Sequence, residues 1–317
     1  MSVQSNNQGR AYEYVFINTL FEEINKIRSV TIEENSALLA SRHAYEFVSQ
    51  EFKNLLKSSA LSAVYTIFDM EPLILEYNND ILLLKIQTDN QGKEGDVRDI
   101  IILRKDIQWE IGLSIKHNHF AVKHSRIAEK LDFGKKWFNI PCSKNYWNSI
   151  TPVFDYLKQQ KLQNKNWSDL NNKNDDVYVP ILEAFINEIQ QSNTLDNSVP
   201  KKMVEYLLGE FDFYKVISVD RKKLTQIQTY NLHGTLNKPS KNLKPKITIP
   251  IANLPTRIVN IGFKPNSKNT VELYLDNGWQ FSFRIHNAST KVETSLKFDI
   301  QIIGMPATII SINCSWK

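Results

Sequence analysis

Cysteine is almost absent from this 317-residue sequence: only Cys142 and Cys314 occur, far apart and in no C-x-x-C spacing. That excludes a disulfide framework and gives no zinc site, so both thiols read as plain core residues. No run approaches the roughly 20 apolar residues that a bilayer-spanning helix needs. Met1 to Arg10 is polar and lacks the apolar stretch of a secretory leader, and the expected location is the cytoplasm. Glycine is scarce, 10 in all, and no glycine-rich phosphate loop is present. Chemistry on nucleoside triphosphates is therefore not indicated. No internal repeat is visible. What remains is ordinary globular composition, 42% hydrophobic and 23% charged, enough for one large core or two smaller ones.

Net charge is +5, but it is unevenly spread. Between Lys116 and Lys144 seven basic residues face only Glu129 and Asp132, and from Gly234 to Lys268 seven basic residues occur with no acid at all. Positive potential is thus concentrated where a polyanion can sit, with Lys238, Lys241, Lys244 and Lys246 as phosphate-contacting candidates.

Residues 11–28 and 36–70 carry apolar side chains at helical spacing, and Pro72 closes the second stretch. A strand-like run around Ile81 to Ile86 and a polar turn from Asp89 to Gly95 follow. Val97 to Leu103 and Trp109 to His117 then read as two strands of a hairpin, joined through Arg104-Lys105-Asp106. The spacing predicts a helix from His124 to Phe133 stopped by Gly134, a polar connector from Lys158 to Asp175, and helices over 178–192 and 200–209. From Phe211 onward the pattern changes to short β-rich runs: ITIPI, RIVNIGF, TVELYL, WQFSFRIHN, LKFDIQIIG and ATIISINC. The reading is a mixed α/β protein, with residues 1–210 forming a helical and catalytic core and 211–317 a β-rich part, a twisted antiparallel sheet or small barrel-like module.

The hairpin carries the chemistry. Asp99 enters an apolar strand, and on the return strand Glu110, Gly112, Ser114 and Lys116 share one face while Ile111, Leu113 and Ile115 share the other. Metal-assisted cleavage of a phosphodiester needs carboxylates to hold Mg²⁺, a cation to steady the charged transition state, and a water opposite the leaving oxygen. The spacing resembles the PD-(D/E)-x-K nuclease signature, with Ser114 standing where the second acid is expected. Three acids can replace it: Glu110 on the same strand face, Asp96, or Glu129 on the expected helix. A Ser-x-Lys followed by a helical glutamate has precedent in that fold class, but strand periodicity gives Glu110 a slight preference.

A longer run is more specific. Gly95 to Ile100, Trp109 to His119, Ala121 to Arg126 and Leu131 to Gly134 resemble the HaeIII-type family of type II restriction endonucleases. The similarity extends from Gly9-Arg10-Ala11-Tyr12-Glu13-Tyr14 through Tyr146-Trp147, and Phe281 to Ala288 is of a kind seen in such enzymes. The resemblance implies a central PD-(D/E)XK-like mixed sheet flanked by helices and site-specific cleavage of duplex DNA, at GGCC with blunt ends. In this reading Asp99 is the central Mg²⁺ ligand, Glu110 or a substitute acid completes the shell, and the Ile115 carbonyl is a backbone ligand. Lys116 orients the attacking water and neutralises charge, and the products carry 5′-phosphate and 3′-hydroxyl ends. Ser114 either positions a water or is a structural hydroxyl. The resemblance further implies a cognate DNA methyltransferase as functional partner.

His117, Asn118, His119, Lys123, His124 and Arg126 follow the hairpin and read as DNA contacts or, for the histidines, as groups orienting it. A His-metal finger nuclease is the competing idea for His117-Asn118-His119, but no second ligand cluster follows. Arg284, His286, Asn287 and Lys291 are base- or phosphate-contact candidates, since arginine pairs bidentately with guanine. A two-fold target suits a homodimer. The alternatives are a sequence-specific DNA-binding protein without catalysis, in which Asp99 and Lys116 form a buried ion pair, and a repair nuclease or resolvase.

Overall fold

The computed structural model describes residues 3–88, 96–120 and 123–316. The turn expected from Asp89 to Gly95 lies outside the described residues. The chain forms two discontinuous units, one of Met1–Phe120, Gly209–Asn253 and Ala307–Lys317, the other of Ala121–Leu208 and Leu254–Pro306. The β-rich stretch from Phe211 onward contributes to both.

In the first unit, helix α1 (Val3–Ile24) buries Tyr12, Phe16, Leu20 and Ile24 at helical spacing. The stretch 36–70 is two helices, α2 (Ser36–Glu46) and α3 (Gln50–Met70). The break has a local cause: Ser49 adopts an extended conformation and its side chain caps α3 by accepting from the Phe52 amide. Seven strands form one mixed sheet: β1 (Val30–Ile32), β2 (Leu82–Ile86), β3 (Ile100–Arg104), β4 (Trp109–His117), β6 (Phe213–Val219), β7 (Leu224–Tyr230) and β12 (Ser311–Ser315). They lie in the order β1-β2-β3-β4-β6-β7-β12. β1 is parallel to β2 and β4 to β6, while the remaining neighbours are antiparallel. Alternation along β4 sends Ile111, Leu113 and Ile115 into a core shared with Phe16, Leu20, Val64 and Ile67 of the helices.

The second unit holds α4 (Phe133–Phe138), α5 (Lys144–Leu162), α6 (Val179–Leu195) and α7 (Val199–Leu208). Beside them lie β5 (Lys123–Ala128), β8 (Ile258–Phe263), β9 (Thr270–Leu275), β10 (Gln280–Asn287) and β11 (Ser295–Gly304). These five make an antiparallel sheet in the order β5-β11-β10-β9-β8. Its core is aromatic: Phe185 lies within 5.5 Å, centroid to centroid, of Phe133, Phe283 and Phe298.

Three expectations are corrected. The helix expected from His124 to Phe133 is strand β5, because buried Ser125 and Ile127 alternate with exposed Arg126 in a period of two against β11. Gly134 does not stop a helix; it lies within α4, which begins only after the Asp132 side chain caps it. The run ITIPI forms no strand: Pro250 has no amide to donate, and the Ile249 amide is taken by the Asn237 side chain. Otherwise the mixed α/β class with a β-rich C-terminal part is what the chain adopts, with seven α-helices among the described residues.

Candidate active site

The β3–β4 hairpin turns through a short 3₁₀ segment, Lys105–Ile107, with Gln108 in the left-handed region. Its ladder continues one residue beyond β3, where the Asp99 amide donates to the Leu113 carbonyl at 2.7 Å and the Asp99 carbonyl accepts from the Gln87 amide at 2.9 Å. Backbone bonds to both neighbours therefore fix the aspartate before its side chain does anything. Its Oδ2 atom is a point of convergence. The Lys116 ammonium donates to it at 2.8 Å, the Ile115 amide at 2.7 Å and the Ser114 hydroxyl at 3.2 Å. Three consecutive residues of one strand thus address one carboxylate oxygen.

A second carboxylate comes from α1, which packs on β4. Glu13 accepts from the Ser41 hydroxyl at 3.2 Å. Burial, and then the negative charge of Asp99, hold the Glu13 carboxyl well above the ordinary carboxylate range, with Lys116 opposing. Burial alone would pull the Lys116 ammonium down, but Asp99 and then Glu13 outweigh it and the net shift is upward. Glu13, Asp99 and Lys116 are therefore one electrostatic group. Among the described residues no three His, Cys, Asp or Glu side chains converge as a metal cage. Two mutually repelling carboxylates nevertheless fit Mg²⁺, which commonly takes one or two carboxylates and completes its shell with water and substrate phosphate.

The acids expected to replace the missing ligand are committed elsewhere. Arg98 binds Asp96 through Nε and Nη2, at 2.9 and 2.8 Å, and Glu110 through Nη1 at 2.8 Å. Asp96 also accepts from the Gln87 side chain at 2.7 Å, and the Arg98 guanidinium lies 3.9 Å from the Phe211 ring centroid. Glu110 pairs in register with Leu103, three residues up the ladder from the Ile100–Leu113 pair that adjoins Asp99. Glu129 belongs to the second unit, just past β5 and on no helix, and accepts from Lys158. Sequence reasoning missed Glu13 and Arg98. The signal for Glu13 was available: an acid between Tyr12 and Val15 on an otherwise apolar helical stripe is costly to half-bury without a task.

The residues after the hairpin divide. His117 pairs with Asp220 at 2.7 Å and packs its ring edge-on against Phe52, and Asn118, in the left-handed region, donates to the same aspartate at 2.9 Å. His119 is half-buried, and His124 lies on β5 opposite Asp299. Lys123 donates to the Tyr206 carbonyl at 2.6 Å and lies 3.8 Å from that ring's centroid, while burial and then Lys136 pull its ammonium down to about 8. Asn287 donates to the Ser289 carbonyl and Lys291 to that of Asn164, both at 2.8 Å, and His286 Nδ1 lies 2.9 Å from the Asn287 carbonyl. Arg126 and Arg284 remain exposed, and they donate to Ser295 at 3.0 Å and Asp299 at 3.1 Å respectively.

The model of the HaeIII restriction endonuclease family matches residues 9–306. Over 318 residues, spanning the whole of both chains, the sequence is 56% identical to the type II restriction enzyme HaeIII of Haemophilus aegyptius. No solved structure matches the chain.

Proposed function

The chain belongs to the HaeIII restriction endonuclease family, and from that premise we propose that it cuts duplex DNA at GGCC to blunt ends, in the cytoplasm, with Mg²⁺. The observation that carries this reading is the convergence of Ser114, Ile115 and Lys116 on Oδ2 of Asp99.

Asp99, Glu13 and the Ile115 carbonyl would hold the ion, which supplies Lewis-acid polarisation of the scissile phosphate and a more acidic water. Ser114 and the Ile115 amide restrain the Asp99 carboxylate, so it needs little reorganisation on binding the substrate. Lys116 is balanced between that carboxylate and the incoming phosphate: its ammonium neutralises charge developing on the phosphate and orients the water for in-line attack. The products carry 5′-phosphate and 3′-hydroxyl ends. Exposed Arg284 and Arg126 are the base-reading and phosphate-contacting candidates this reading favours over Lys123, Asn287 and Lys291, whose polar groups are spent within the fold. A two-fold target suits a homodimer with one site per strand, and a host carrying such an enzyme needs a methyltransferase to protect its own sites.

The test is to incubate wild type, Lys116→Ala and Asp99→Asn with plasmid and Mg²⁺ and to sequence the fragment ends. Blunt ends within GGCC from wild type alone are expected. Ends scattered over many sequences, or cutting by both variants at the wild-type rate, would overturn the reading.

A further inference from the structure

Strand β6 runs parallel to β4, in a register that sets Lys215 beside Ser114. In-register residues of adjacent strands share a face. Lys215 therefore lies on the face of Ser114 and Lys116, while its neighbours Tyr214 and Val216 enter the core. It is only 3% exposed. Lysine is almost never so deeply buried, because the ammonium loses its hydration. Its Nζ donates to the carbonyl of Phe120 at 2.7 Å. Phe120 stands four residues past Lys116, and the chain leaves this unit immediately after it. Burial, and then the charge of Lys116, pull the Lys215 ammonium down to about 7, with Asp99 opposing.

An ammonium that both burial and a neighbouring cation disfavour is a poor way to stabilise a fold. Such a group is more naturally retained for what it does to the site. We propose that Lys215 is a positioning residue for cleavage, fixing through the Phe120 carbonyl the chain that leaves the catalytic strand just past Lys116. Being buried, it touches no substrate and acts through the strand end that carries Lys116. The assignment rests on the nuclease reading of the Asp99–Lys116 site.

The test compares wild type with Lys215→Met, which keeps the apolar stem and removes charge and donor. Three quantities are measured: the single-turnover cleavage rate at saturating enzyme with Mg²⁺, the Kd for a GGCC duplex without metal, and the Tm. The expected result is a rate lower by about 10- to 100-fold, the effect of one lost charge-assisted hydrogen bond. Duplex affinity stays within about threefold and the Tm is unchanged or higher, because burial already disfavours the charge that methionine removes. A methionine variant that cuts at the wild-type rate, that fails to fold, or whose rate falls only together with its Tm overturns the assignment while leaving the nuclease reading intact. A wild type that binds the duplex but never cuts it removes both.

Discussion

The side chain of Arg98 crosses Gly112 so closely that a β-carbon at residue 112 would stand 1.9 Å from Cδ and 2.9 Å from Cβ of the arginine. The clash reaches the root of the arginine side chain, so rotating its tip cannot relieve it. Because Arg98 holds both Asp96 and Glu110, this glycine decides where two acids beside the hairpin are spent. Gly112→Ala should therefore destabilise the protein by about 1–3 kcal/mol, the usual cost of overpacking. Urea denaturation measures it, and cleavage should fall as well, since Asp99 follows Arg98 directly in the chain. A variant as stable and active as wild type would show that Arg98 has another place to go.

Glu13 and Glu110 make opposite predictions. Glu13 shares its surroundings with Asp99 and Lys116, whereas Glu110 faces Arg98 from a partly exposed position. Glu13→Gln is expected to slow single-turnover cleavage on the order of 100-fold, about 2.7 kcal/mol of transition-state stabilisation. Glu110→Gln gives up one partly exposed ion pair and should stay within about threefold, under ~1 kcal/mol. The reverse ranking would return the second carboxylate to the β4 strand.

The hairpin was legible because a period of two over Trp109 to Lys116 fixes which side chains share a face, and Asp99, Ser114 and Lys116 meet as that period requires. Glu13 was not, because its approach to Asp99 depends on how α1 crosses the sheet, about 86 residues away in sequence, and no local pattern encodes a crossing. Glu110 satisfied the period, yet the period is blind to Arg98, which claims it. β5 misled for a different reason: Lys123 to Ala128 is a short amphipathic run, and short runs fit a helix and a strand almost equally well until the neighbouring strand is known. β11, which supplies that neighbour, lies far along the chain.

Glu71 follows α3 directly, fully buried, and its Oε1 accepts from the Tyr214 hydroxyl at 2.5 Å and the Asn237 amide at 2.6 Å. Burial pushes its carboxyl up to about 7, against the pull of those two bonds and of Lys238. A carboxyl raised in the folded state favours folding while protonated. Its contribution is complete below the unfolded value near 4.5 and is lost as pH rises through about 7. Glu71→Gln, which imitates the neutral acid, should thus gain on wild type with rising pH, by on the order of 2 kcal/mol between pH 5 and pH 8. Thermal melts of both proteins at the two pH values decide it, and a constant difference would place the ionisation elsewhere.

The same carboxylate helps anchor the irregular segment that carries Lys238, Lys241 and Lys244. Asn237, in the left-handed region, donates its side chain to the Met70 and Ile247 carbonyls and accepts from the Ile249 amide, and Glu76 takes the Lys241 amide at 3.0 Å. Acidic groups of the fold thereby hold this segment largely by its backbone; of its lysines, Lys246 pairs with Asp69, while Lys238, Lys241 and Lys244 are exposed. A rigid backbone presenting exposed cations suits phosphates, which carry affinity without sequence information. Replacing Lys238, Lys241 and Lys244 together with glutamine should flatten the dependence of log affinity on log salt by about 2 to 3, since each phosphate contact contributes a slope of about 0.9. The sequence at the cut ends should not change. An unchanged slope would remove the segment from the DNA interface, and altered ends would mean that these lysines read bases rather than charge.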